Sequence, residues 1–165
     1  MFWSKKKSDS EEKPVFALER FKEAQEHDFK SALDEIKSGH KDGHWIWYIF
    51  PQVKGLGYSE YSWIYGIDGI EEAKAYLEDK ELRHNLITIT EALLAVQTSN
   101  IRTIMTHPDD LKVRSSMTLF YYASNDYDKG LFKSVIDKYF DGEFDKLTEK
   151  VLFKGVSVYE IHNKA

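Results

Sequence analysis

The chain has 165 residues, of which 42% are hydrophobic, 15% aromatic and 31% charged, so it holds enough apolar material for one filled core and enough charge to solvate it. Its net charge of -5 argues against non-specific binding to nucleic acid or to an anionic membrane surface, where a net anion gains nothing from counterion release. It contains no cysteine, which excludes disulfides, zinc–thiolate sites, iron–sulfur clusters and a cysteine nucleophile, and which suits a reducing compartment.

Residues 1–13 read as a disordered arm of lysines, serines and acids with little to bury; Phe2 and Trp3 stand out as a frayed, weakly anchoring pair. The opening lacks the apolar core of a secretory signal, and no run approaches the ~20 apolar residues of a membrane span, so a cytoplasmic location is expected. Pro14 suits a first helical turn. From Val15, the apolar residues Leu18, Phe21, Phe29, Ala32, Leu33 and Ile36 recur at helical spacing, which predicts one long helix or two with a break at His27-Asp28, stopped at Gly39. The cluster Trp45 to Phe50 has strand propensity but no partner strand nearby, so a short buried helix broken by Pro51 is expected. Gly55 and Gly57 make a turn, and Ser59 caps a brief helix through Tyr61, Trp63, Ile64 and Tyr65 that stops at Gly66.

Asp68-Gly69-Ile70-Glu71 has capping-box spacing and opens a helix carrying Ala73, Tyr76 and Leu77. Asp79 caps the clearest helix, with Leu82, Leu86, Ile89, Leu93 and Val96 on one stripe. Ser99 opens a short helix ended by His107-Pro108, Asp109 or Asp110 caps a segment from Leu111 to Tyr122, and Asp128 precedes a helix stopped at Gly142. A last short helix carries Leu147, Val151 and Leu152, and a tail follows. There is no repeat at solenoid spacing. The expectation is an all-α single domain of seven to nine helices over residues 14–153, with a C-terminal tail at 154–165.

The chemistry-bearing residues gather in two segments. In residues 44–57, His44 lies beside Trp45 and Trp47, and Gln52, Gly55 and Gly57 follow a sharp bend. An imidazole beside indoles suits acid–base work and an indole suits stacking on a planar group, while glycines let backbone N–H groups approach a ligand. The bland reading is a core cluster followed by an ordinary turn. His40 and His44 share i,i+4 spacing, but the flanking glycines and the lack of a following carboxylate argue against a metal. In residues 112–116, Lys112 and Arg114 with the hydroxyls of Ser115 and Ser116 suit a phosphate or carboxylate; equally, the serines are small residues that let helices approach, and the cations pair with Asp109 and Asp110. Arg20 and Gln25 on the first helix either converge on the same place or tether a loop.

Several strings occur together in a recognisable order: Arg20-Phe21-x-x-Ala24-Gln25, His44-Trp45-x-Trp47, Phe50-Pro51-Gln52-x-x-Gly55-Leu56-Gly57-x-Ser59, Tyr65-x-Ile67, Glu72-Ala73-x-Ala75-Tyr76-Leu77, and Lys112-x-Arg114-Ser115-Ser116-Met117-Thr118-Leu119-Phe120. By these the chain resembles the family called domain of unknown function 1810, whose members are sometimes labelled calpastatin although this sequence has no repeated inhibitory segments. The resemblance covers roughly residues 16–152 and implies a helical fold but no established reaction. Gly43, Ile46 and Lys80 depart from the residues usual in that family.

The functional expectation is a site between residues 44–57 and 112–116 for a planar, anionic, nucleotide-like molecule. It would be a binding or a hydrolytic site, with His44 as the catalytic residue and no cofactor or metal. The alternative is a non-enzymatic module that binds a protein partner through an exposed aromatic patch.

Overall fold

The computed structural model describes residues 15–155, and within them eight α-helices follow one another: α1 (Glu19–Ser38), α2 (Ile46–Ile49), α3 (Glu60–Ile64), α4 (Gly69–Glu78), α5 (Lys80–Ala95), α6 (Asp109–Ala123), α7 (Asp126–Phe140) and α8 (Lys146–Lys154). A 3-10 turn, Ile101–Thr103, sits between α5 and α6. The expected arm at 1–13, with Phe2, Trp3 and Pro14, and the tail beyond residue 155 lie outside the described residues. No helix among those described is long and apolar enough to cross a membrane.

Helices α4, α5, α7 and α6 pack in a closed cycle, each against the next, with α1 laid on α5, α2 on α1 and α6, and α8 on α6 and α4. The stripe predicted on α5 is the seam of this cycle: Leu82, Leu86, Ile89 and Leu93 are fully or almost fully buried. Phe120 and Phe132 meet across α6 and α7 with ring centroids 6.0 Å apart, and Tyr76 of α4 joins them at 5.1 Å from Phe120. Each such side chain contributes about 1.5–3 kcal/mol by leaving water. Helix α6 is enclosed by α2, α4, α7 and α8, which explains why Val113 and every residue from Ser115 to Phe120 are buried.

Most boundaries follow the sequence, and four differ for local reasons. Helix α1 runs unbroken through His27-Asp28 and starts at Glu19, because the Arg20 guanidinium takes the Ala17 carbonyl at 2.6 Å and holds the preceding residues in a turn. Asp68 makes no side-chain cap; instead the Glu72 carboxylate accepts the Asp68 N–H at 2.7 Å, one position later than capping-box spacing puts it. Asn100, not Ser99, caps the 3-10 turn by accepting from the Arg102 N–H at 3.1 Å. Asp109, Asp110 and Asp128 lie inside the first turns of α6 and α7, not before them. A single parallel bridge, Val53 with Ile67, ties the loop after α2 to the start of α4.

Candidate functional site

The loop between α1 and α2 is moulded by one carboxylate. Glu35 accepts the backbone N–H groups of Asp42 (2.7 Å) and Gly43 (2.8 Å) and the Trp45 indole N–H (2.9 Å). Burial alone would raise its pKa, but these three donors and the Lys41 charge outweigh it and hold the carboxyl below its ordinary range. Gly43 lets the loop lie close against the indole: a Cβ on it would stand 2.7 Å from the Trp45 ring, which would have to shift to admit it. Lys41, itself almost fully buried, donates to the Gly43 carbonyl and meets Asp109 at 2.8 Å. Its ammonium lies 4.8 Å from the centre of the Trp45 ring. Trp45 is therefore core, 2% exposed, and offers no stacking face to a ligand.

His44 is exposed and makes no hydrogen bond or ion pair among the described residues, so nothing orients its imidazole for proton transfer. His40 pairs only with exposed Asp42, at 3.3 Å, and no group of three or more His, Asp or Glu positioned for a metal occurs among the described residues.

Trp47 opens an aromatic ledge. Its ring lies 5.0 Å from that of Tyr61, Tyr61 stacks at 6.3 Å on Tyr65, and Tyr65 meets Tyr48 at 5.0 Å. Tyr48 closes the row by donating to Asp28. Lys112 sits 4.9 Å from the Trp47 centroid while pairing with Asp109 at 3.2 Å, so one carboxylate fixes both Lys41 and Lys112. Burial pushes the Asp109 carboxyl up, and the two lysines pull it below its usual value. This contact is where the two expected segments meet. Gln52 is half-buried beside Trp47, Tyr61 and Tyr65, around a hollow of only about 10 Å³, and its side-chain amide makes no hydrogen bond among the described residues.

The turn that follows is held by backbone bonds, Lys54 N–H to the Ile67 carbonyl at 2.7 Å and Ile67 N–H to the Gln52 carbonyl at 2.9 Å. Gly55 has φ of 96°, and Gly57 packs against Ser62. These glycines serve a tight turn, the bland reading of their spacing. Ser59 caps α3 by accepting from Ser62, as its position predicts. The short helix then presents Tyr61 (52% exposed), Trp63 (52%) and Ile64 (44%) to solvent, next to Tyr58.

The remaining candidates lie elsewhere. Arg20 donates to the carbonyls of Ile64 and Gly66, each at 2.8 Å, and to the buried Glu72 carboxylate at 2.8 Å. It is a tether for the α3–α4 loop. Gln25 is equally committed: its amide donates to the Tyr48 carbonyl (2.8 Å) and the Tyr76 hydroxyl (2.9 Å), and its oxygen accepts from Asn85 (3.0 Å). Arg114 points away from Lys112, donating to the Glu143 carbonyl at 2.8 Å with its guanidinium 5.8 Å from the Phe140 ring. Residues two apart on a helix face roughly 200° away from each other, so Lys112 and Arg114 do not form the anion clamp expected of them. Ser115 returns its hydroxyl to the Leu111 carbonyl at 3.1 Å, and Ser116 is fully buried with no partner for its hydroxyl among the described residues. Both are packing residues of an enclosed helix. Glu35, Lys41 and Tyr61, which organise the region with Asp109, carry no motif of their own. The Asp109–Lys112 pair lies at i,i+3 and follows from spacing, whereas Glu35 reaches Trp45, Lys41 reaches Asp109 and Trp47 reaches Tyr61 across stretches that local spacing does not show.

A family model described as "Protein of unknown function (DUF1810)" matches residues 15–152. The fold is similar to the crystal structure of a conserved hypothetical protein from Mycobacterium tuberculosis, with 40% sequence identity and a TM-score of 0.80, covering 86% of this chain and 99% of that one. No curated protein matches the chain.

Proposed function

We propose that this chain, which belongs to the DUF1810 family of proteins of unknown function, is a binding module that docks a protein partner on the aromatic ledge and the exposed helix α3. The observation that carries the reading is the exposure of Tyr61, Trp63 and Ile64 on one five-residue helix whose ends are pinned by the Ser59 cap and by Arg20. Tryptophan and tyrosine dominate interface energetics, and adjacent exposed apolar residues on a rigid support mark an interaction face. The hollow beside them, about 10 Å³, falls far short of the roughly 300 Å³ at which small-molecule pockets begin. His44 has no second group to work with among the described residues, so the reading includes no reaction.

The test is a photo-crosslinking amino acid placed at position 63, with a second placed at exposed Lys150 as a control. A discrete crosslinked partner at position 63 only, lost in Tyr61→Ala, is expected. Capture at both positions alike, or capture indifferent to Tyr61→Ala, removes α3 as the docking face.

The planar, anionic, nucleotide-like ligand is the second reading, favoured by the unpaired Gln52 amide beside Trp47 and Lys112. Titration with nucleotides while watching Trp47 fluorescence tests it: quenching that disappears in Gln52→Ala supports it, and an unchanged emission retires it.

A further inference from the structure

A cleft lies on another face of the fold. Because α4 packs on α6 and α5 packs on α7, the tight α4–α5 junction at Asp79 faces the α6–α7 junction at Ser124-Asn125. Between them lies a cleft of about 390 Å³, within the range of small-molecule sites. Its far ends are clasped by Arg83, whose Nε and Nη2 donate to Asp128 Oδ2 and Oδ1 at 2.8 and 2.6 Å. The Asp128 side chain is 8% exposed but that of Arg83 is 45% exposed, and Arg83 Nη1 makes no hydrogen bond among the described residues. The guanidinium is thus fixed by one edge with the other on offer, so a ligand has no arginine rotamer freedom left to freeze.

The rest of the lining brings side chains of both charges to the cleft. Lys74 adds a second cation, held only at 4.0 Å from Glu71, and Glu78, one turn further along α4, adds a carboxylate with no hydrogen bond or ion pair among the described residues. Asn125, at the N-cap position of α7, makes no side-chain cap, and its amide makes no hydrogen bond among the described residues. Leu77 and Ala123 supply an apolar floor. The charges of Lys74, Arg83, Glu78 and Asp128 sum to zero, so a simple anion loses at the carboxylates what it gains at the cations. A molecule carrying both charges can set each of its ends against a side chain of opposite charge.

We propose that this cleft binds a small zwitterion of the α-amino acid class, its carboxylate on Arg83, Lys74 and the Asn125 amide and its ammonium on Glu78. The inference concerns a different face from α3 and stands apart from the docking reading. It is tested on the full chain by 15N–1H NMR titration with free L-amino acids, beside acetate and methylammonium as the two halves of the ligand. Saturable shifts confined to residues 74–83 and 123–128, given by one or more amino acids and at least ten times weaker with either half, are expected. Asn125→Ala and Lys74→Met alter exposed side chains and leave the fold intact; each should weaken binding about three- to tenfold. Arg83→Lys keeps the charge but not the fork and should weaken it further. Absence of localised shifts with every amino acid overturns the proposal, as does acetate alone matching the amino acids or binding that survives Asn125→Ala and Lys74→Met combined.

Discussion

Single side chains hold the loops of this fold, and their removal should cost more than their surface position suggests. Arg20 ties three carbonyls to the Glu72 carboxylate, whose side chain is 3% exposed. Arg20→Met strands that carboxylate, and the expected loss is about 2–3 kcal/mol, at the low end for a broken buried pair because Arg20 keeps some contact with water. Urea unfolding measures it, and adding Glu72→Gln should recover part of the loss. If the double variant is as unstable as the sum of the singles, the pair is not coupled. Gln25→Ala leaves the Tyr48 carbonyl, the Tyr76 hydroxyl and the Asn85 amide short of a partner and should lower stability by roughly 2–3 kcal/mol. His44→Ala, by contrast, should leave the unfolding midpoint within about 0.5 kcal/mol of the parent, since no contact of the imidazole is lost.

At the level of elements, the seating of α3 depends on Gly66. A Cβ there would stand 2.6 Å from Lys54 Cα and 2.8 Å from the Ser62 carbonyl oxygen, both parts of the backbone that cannot swing aside. Gly66→Ala should therefore separate the Val53–Ile67 bridge and cost on the order of 2–3 kcal/mol, with amide NMR shifts concentrated in residues 52–67. A variant whose spectrum changes only next to residue 66 would show that the loop yields more easily than its contacts imply. The same segment shows what the sequence made legible. Helix existence was readable, because apolar periodicity on α5 and α7 reports which face meets the core. The Ser59 and Asp79 caps were readable too, because each accepts from an N–H two or three positions on, although Asp68 shows that the spacing does not suffice by itself. The site was not. Gln25 and Arg20 reach partners 23 to 60 positions away, and no local pattern announces such a contact. The opposed directions of Lys112 and Arg114, however, follow from helical spacing once α6 is recognised as a regular helix.

For the molecule as a whole, ionisable groups set a window of pH in which the fold is fully stable. Glu35, Asp79 and Asp109 all have carboxyls held below their ordinary values. In each, burial pushes upward but hydrogen bonds and lysine charges prevail. Groups depressed in the folded state add stability above their unfolded pKa values, 4.5 for Glu35 and 3.8 for the aspartates, and that stability is lost as pH falls through the lower folded values. At the other end, burial raises the hydroxyls of Tyr122 and Tyr139 to about 12, with Glu149 adding to the effect at Tyr122. A raised group gives stability that is complete below its unfolded pKa of 10.0 and is lost as pH climbs through the folded value. Urea unfolding across pH should give a plateau from roughly pH 5 to 9 with a fall on each side. Asp109 distinguishes this account from general acid unfolding, because it alone bridges Lys41 and Lys112 beneath the two tryptophans. Asp109→Asn should lower the plateau and flatten the acid limb together, since the variant no longer takes up that proton on unfolding. An acid limb as steep as the parent's would place the lost stability on other carboxylates and leave the two lysines as spectators.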